Sequence, residues 1–165
     1  MRRSDRAERT ASGAVAVLAR RLQGEMARLV AAAAPGVVAG IGVDLVEIAT
    51  FAALPFAEHA AFYALTFTAG EIAYCQGRAL PAQHFAARFA AKEAVVKACG
   101  GLVTLMPAQV EIARARTGAP VARLHDAPPL SDQYAIHVSM GHSDTIAYAV
   151  ALALRREEAS AVDEV

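Results

Sequence analysis

Six residues have the types and spacing that chemistry requires: Asp44, Arg88, Lys92, Glu93, Lys97 and His142. Glu93 and Lys97 are four apart, which makes them neighbours on one helix face, and Arg88 lies about one turn before Lys92 and Glu93. The plain reading of such a pair is a surface ion pair of a few tenths of a kcal/mol. The surrounding Phe89, Ala90, Ala91, Ala94, Val95 and Ala98 favour another, charges on a mostly buried helix, where an unpaired charge is costly. Asp44 is the early acid of an apolar run, where it either caps a turn or finds a partner. Two carboxylates, completed by phosphate oxygens and water, make the oxygen-only set that Mg²⁺ favours. Lys97 and Arg88 add the positive charge that a phosphoryl group in transfer needs. His142 sits in a turn, GHSD, where a ring can face a ligand or simply solvent.

The two lysines sharpen this picture. Of sixteen basic residues fourteen are Arg, and Lys92 and Lys97 are the only lysines. Lysine offers a compact, rotatable charge where arginine offers a planar fork. Other chemistries lack their signatures. Ser139 has no nucleophile-elbow glycines. There is no GxGxxG and no GxxxxGK[ST]. Cys75 and Cys99 have no CxxC spacing, so a reduced cytosolic protein without structural zinc is expected.

The elements that must position these residues follow from pattern. Residues 37–48, VVAGIGVDLVEI, read as a strand carrying Asp44. Helical stretches follow at about 50–63 and 68–77, the second opened by the capping-box pair Thr68 and Glu71. Pro81 precedes the strongest helix, 82–99, and Gly100-Gly101 stops it. Short strands are expected at 110–115, 121–124 and 134–140, the last alternating Tyr134, Ile136, Val138 and Met140 with polar residues. A turn at 141–144 leads to a final strand, 145–154. Strand, helices, then antiparallel strands define an α+β domain over 37–154, between an N-terminal extension, 1–36, and a tail, 155–165. In the extension Val15, Leu18, Leu22, Met26, Leu29 and Val30 recur at helical steps, while MRRSDRAERT reads as a frayed start. Arg20 and Arg21 directly after the short apolar run, with acids in the leader, argue against a signal or transit peptide and for an added surface or docking helix.

Composition bounds the rest. Hydrophobic residues reach 56%, but 41 of 165 residues are Ala and aromatics only 6%, so the core is built from small side chains. No apolar run approaches the roughly 20 residues of a membrane span. Sixteen acids balance the sixteen bases, which argues against a broad nucleic-acid surface.

Taken in order, three segments resemble the holo-acyl-carrier-protein synthases of the 4′-phosphopantetheinyl transferase superfamily. They are Gly40-Ile41-Gly42-Val43-Asp44 with Glu47 following, RFAAKEAVVKA from Arg88 to Ala98, and Val138-Ser139 with His142. FTAGEIAYC, Phe67 to Cys75, is similar to a further family helix, and the likeness covers about 40–154. The resemblance implies the phosphopantetheinyl transferase fold and transfer of 4′-phosphopantetheine from coenzyme A to a serine of an acyl carrier protein, releasing 3′,5′-ADP. It implies that Asp44 and Glu93 hold Mg²⁺, that Lys97 stabilises phosphate charge, and that His142 touches a coenzyme A phosphate. Arg88 and Lys92 would support the site or the nucleotide. The general base would be Glu93 or a water on the ion. A homotrimer with interfacial sites is implied as well. The chain departs from the family at Thr50 and Leu65, where members often carry arginines thought to meet the acidic helix of fatty-acid carriers. It also has Gly100-Gly101-Leu102 for the usual Gly-Thr-Gly, and Gly118-Ala119-Pro120 for the usual Gly-Lys-Pro. A polyketide or other specialised-pathway carrier is therefore expected. The alternative is a non-catalytic paralogue that binds coenzyme A or a carrier as an assembly subunit.

Overall fold

A computed structural model describes residues 4–33, 36–126 and 128–156. The expected tail beyond 156 and the first three residues lie outside the described residues.

The order is α1 (Ser4–Ala33), β1 (Val38–Glu47), α2 (Ile48–Ala52), α3 (Ala60–Thr66), α4 (Ala69–Gln76), α5 (Pro81–Cys99), β2 (Val110–Arg114), β3 (Pro120–Leu124), α6 (Pro128–Gln133), β4 (Tyr134–His142) and β5 (Ile146–Arg155). β1, β5 and β4 form an antiparallel sheet in the order β1-β5-β4, and β2 pairs with β3 in a separate hairpin. The mixed helical and antiparallel plan is that of an α+β protein.

Helix α5 lies across the three-stranded sheet, and its chemistry explains the alanine content. Gly40, Gly42 and Asp44 are opposite Ala153, Ala151 and Ala149 on β5, hence on the same face. Those alanines are fully buried, as are Ala90, Ala91 and Ala94 of α5. The approach is so close that a Cβ on Gly42 would stand 1.8 Å from the Ala94 carbonyl oxygen, and one on Gly40 2.0 Å from that of Ala98. Both glycines of the Gly-x-Gly-x-Asp motif are thus consumed by helix–strand packing. Because α5 is buried on most sides, its apolar residues show no single stripe. A second core of aromatic rings, Phe51, Tyr63, Phe67 and Phe85, joins α2, α3 and α4 to the N-terminal half of α5.

Several sequence expectations shift. The helical stretch 50–63 divides into α2 and α3 because Pro55 lies between them. Pro81 occupies the first turn of α5 rather than preceding it, the position where its missing N–H costs nothing. Pro128 and Pro129 open the short α6, which the sequence pattern did not predict. The turn expected at 141–144 is shorter, since β4 runs to His142. In the extension, helix begins at Ser4, within the segment expected to be frayed. Its inward stripe includes Val15, Ala19, Gln23, Met26 and Val30, whereas Leu18, Leu22 and Leu29 stay exposed. Gln23 caused that difference. Its Nε2 donates to the Ile41 carbonyl and its Oε1 accepts from the Val43 N–H, so a polar side chain takes an inward position.

Candidate active site

β1 and α5 bring Asp44, Glu93 and Lys97 together. Asp44 is on the sheet face that meets α5, and Glu93 and Lys97 share the helix face towards β1. Lys97 Nζ donates to Asp44 Oδ1 at 2.7 Å and to the Val43 carbonyl oxygen at 3.1 Å. Asp44 and Glu93 line one cavity of about 350 Å³ with Leu45, Val46, Glu47, Thr50, Phe89, and Val15 and Ala16 of α1. Burial pushes the Asp44 carboxyl above its ordinary value, against the pull of Lys97. Burial likewise raises Glu93; the charge on Asp44 adds to the rise and Lys97 opposes it. Two carboxylates each held above the usual range by burial and, for Glu93, by the other acid define a place short of positive charge.

Whether that place suits a divalent ion can be judged from the donors. Among the described residues no group of three or more His, Cys, Asp or Glu forms a complete protein cage. Mg²⁺ does not need one, because it keeps several waters and typically takes one or two carboxylates plus substrate phosphates. Glu93 has no hydrogen bond or ion pair among the described residues and sits half-buried in the cavity wall. The donor set therefore fits the ion.

A second cluster gathers around Tyr74 of α4. The guanidinium groups of Arg88, Arg78 and Arg114 lie 3.9, 4.1 and 5.5 Å from its ring centroid, and Arg114 Nη1 donates to its hydroxyl at 3.0 Å. Arg88 is 3% exposed, and its buried Nε has no partner among the described residues. His84 packs edge-on against Tyr74 at 5.8 Å and against His142 at 6.2 Å. Burial, then Arg88, lowers the pKa of His84. Glu111 and Glu71 line this pocket too. Arg88 and His142 thus border one cationic region, with Arg88 about 7.5 Å along the α5 axis from Glu93. Sequence reasoning had no hold on Tyr74, Arg78, His84 and Arg114, which share no spacing and meet only through the fold.

Of the two roles expected for Lys92, support of the site or of the nucleotide, its partners favour the first. Its ammonium is fully buried and donates to Glu71 Oε2 at 2.8 Å, to the Pro107 carbonyl at 3.1 Å, and to the Val110 carbonyl. All three of its donors are spent, so none remains for a ligand. Burial lowers its pKa and Glu71 works against that. Glu71 also caps α4, accepting from the Thr68 N–H at 2.8 Å, and accepts from the Ile112 N–H at 2.9 Å. The pair ties α4, α5 and β2 together behind the site. Cys75 and Cys99 are free and buried, and burial raises both thiols to about 11.

Comparison with known proteins assigns the α+β frame that carries these residues to a family. The chain belongs to the 4′-phosphopantetheinyl transferase superfamily, whose family model matches residues 40–153. A curated relative from Geobacter sulfurreducens, named holo-[acyl-carrier-protein] synthase, is 40% identical over 119 residues, covering 68% of this chain and 93% of its own. The acyl carrier protein synthase of Mycobacterium tuberculosis is similar in structure, with 34% identity, a TM-score of 0.57, and coverage of 72% of this chain and 99% of that one. A synthase–coenzyme A complex from Chronobacterium ammoniagenes has 26% identity and a TM-score of 0.58, covering 72% and 98%. Helix α1 lies outside the matched family segment.

Proposed function

We propose that this chain is a holo-acyl-carrier-protein synthase that moves 4′-phosphopantetheine from coenzyme A to a carrier serine. The observation that carries the site assignment is the shared cavity of Asp44 and Glu93, with Lys97 on Asp44. In the reaction the serine Oγ forms a bond to the β-phosphorus, the bond to the 3′,5′-ADP oxygen breaks, and the serine proton departs. Asp44 and Glu93 would hold Mg²⁺, which supplies charge neutralisation on the pyrophosphate. Lys97 places an ammonium beside Asp44 where negative charge grows on the phosphate oxygens. Glu93, in the cavity wall, would receive the serine proton directly or through water. Arg88 and His142 would hold the nucleotide end of coenzyme A. Positioning and charge neutralisation are what phosphoryl transfer asks of a protein, so no covalent nucleophile is required.

The finer assignments extend the same reading. A homotrimer is supported by the sheet face turned away from α5, where Ile146, Val150, Leu152 and Leu154 are half-buried and Tyr148 is 50% exposed. Among the described residues no helix is long and apolar enough to cross a membrane, which accords with a cytoplasmic enzyme. A polyketide or other specialised-pathway carrier is supported by Thr50 in the cavity wall, where an arginine would otherwise offer charge. Incubation with coenzyme A, Mg²⁺ and a panel of apo-carriers, read by intact mass, tests the function. A carrier gaining one phosphopantetheinyl group is the expected result, and preferential modification of the fatty-acid carrier would refute the specialised preference.

A further inference from the structure

Helix α1 contributes to the cavity although it lies outside the matched family segment. Its attachment is specific. Gln23 uses both ends of its amide on the β1 backbone, accepting from the Val43 N–H at 2.5 Å and donating to the Ile41 carbonyl. Val43 precedes Asp44, so the clamp fixes α1 relative to the acid itself. Ala19 is 5% exposed beneath the helix. Eight residues before Gln23, Val15 and its neighbour Ala16 form the cavity wall shared with Thr50 and Phe89. The charge of the cavity is one-sided. Asp44, Glu47 and Glu93 line it, whereas no Arg, Lys or His does so among the described residues, and Lys97 is engaged with Asp44.

From this we infer that α1 supplies the carrier-docking wall, with Val15 and Ala16 as specificity-determining residues that receive a carrier whose serine-bearing face is apolar and uncharged. The inference rests on the phosphopantetheinyl-transfer reading and names the partner chemistry at that site. A carrier serine must reach the phosphorus held near Asp44 and Glu93, so its flanking residues come against the wall of that cavity. An acidic flank would meet Glu47, the cavity carboxylate that neither Lys97 nor an ion held by Asp44 and Glu93 would contact, and like-charge juxtaposition disfavours such a partner. An apolar flank meets Val15, Ala16 and Phe89 without an unpaired charge.

The test is steady-state transfer to two apo-carrier domains, one with an acidic and one with a neutral, apolar serine helix, measured for the full-length wild type, Ala16→Asp, Ala16→Arg and Gln23→Leu. Ala16 is exposed, so its replacements leave the fold intact, and thermal melting checks Gln23→Leu. The wild type should favour the neutral carrier. Ala16→Asp and Gln23→Leu should each raise its carrier KM about tenfold, and Ala16→Arg should shift preference towards the acidic carrier, read as the ratio of kcat/KM for the two carriers at saturating coenzyme A. A wild-type preference for the acidic carrier, or Ala16 variants with unchanged carrier KM, would overturn the inference while leaving transfer itself standing. Absence of transfer to either carrier would instead remove the underlying reading, and the inference with it.

Discussion

At the residue scale, what distinguishes a working charge from a structural one is whether its partners leave it anything to offer. Glu93 is half-buried without a hydrogen-bond or ion-pair partner among the described residues, and its raised pKa means that the folded chain binds its proton more tightly than the unfolded chain. Its stabilising contribution is therefore present at low pH and is lost as pH rises through the folded value, so at neutral pH the charged carboxylate opposes folding. Glu93→Gln should accordingly raise the melting temperature of the metal-free protein while lowering transfer at least about 100-fold, as calorimetry and carrier mass will show. Lys97 draws down the pKa of both Asp44 and Glu93. Replacing it with Ala should move the acidic limb of the kcat/KM–pH profile to higher pH, in addition to slowing the reaction. Lys92 is the opposite case. Lys92→Met would leave Glu71 buried without its cation, costing about 3–5 kcal/mol in urea unfolding, and adding Glu71→Gln, which removes the charge but keeps an acceptor, should recover part of that loss.

At the element scale, the site depends on how near α5 comes to β1. Gly42→Ala would place a methyl 1.8 Å from the Ala94 carbonyl oxygen, backbone that cannot turn aside. About 3 kcal/mol of stability should be lost, with activity falling because Asp44 and Glu93 shift apart; denaturant midpoints and transfer rates on the same preparation check it. The strand carrying Asp44, the Thr68–Glu71 cap and the helix bearing Arg88 to Lys97 were legible because a β-branched apolar run, capping chemistry and glycine stops are local signals. The two roles of Glu71 were not legible beyond the cap, since Lys92 and Ile112 reach it from 21 and 41 residues away. The division between Lys92 and Glu93 was hidden for a related reason. Adjacent residues on a helix point about 100° apart, and with α5 buried nearly all round the sequence shows no outer face against which to assign them.

At the scale of the whole molecule, a family core spanning 40–153 carries an added helix that lines one side of its acidic cavity. The resemblance in three ordered motifs anticipated the core, whereas the packing of α1 on β1 through one glutamine follows no periodic pattern. The half-exposed apolar sheet face predicts assembly, and light scattering on the eluted protein should give the mass of three chains. The central claim is that Asp44 and Glu93 act together on a divalent ion and a pyrophosphate. Its most direct measurement is intact mass of an apo-carrier after incubation with coenzyme A and wild type, Asp44→Ala or Glu93→Ala, each with Mg²⁺ and with chelator. The account predicts the phosphopantetheinyl mass only for wild type with Mg²⁺; near-normal modification by either variant, or by wild type with chelator, would contradict it.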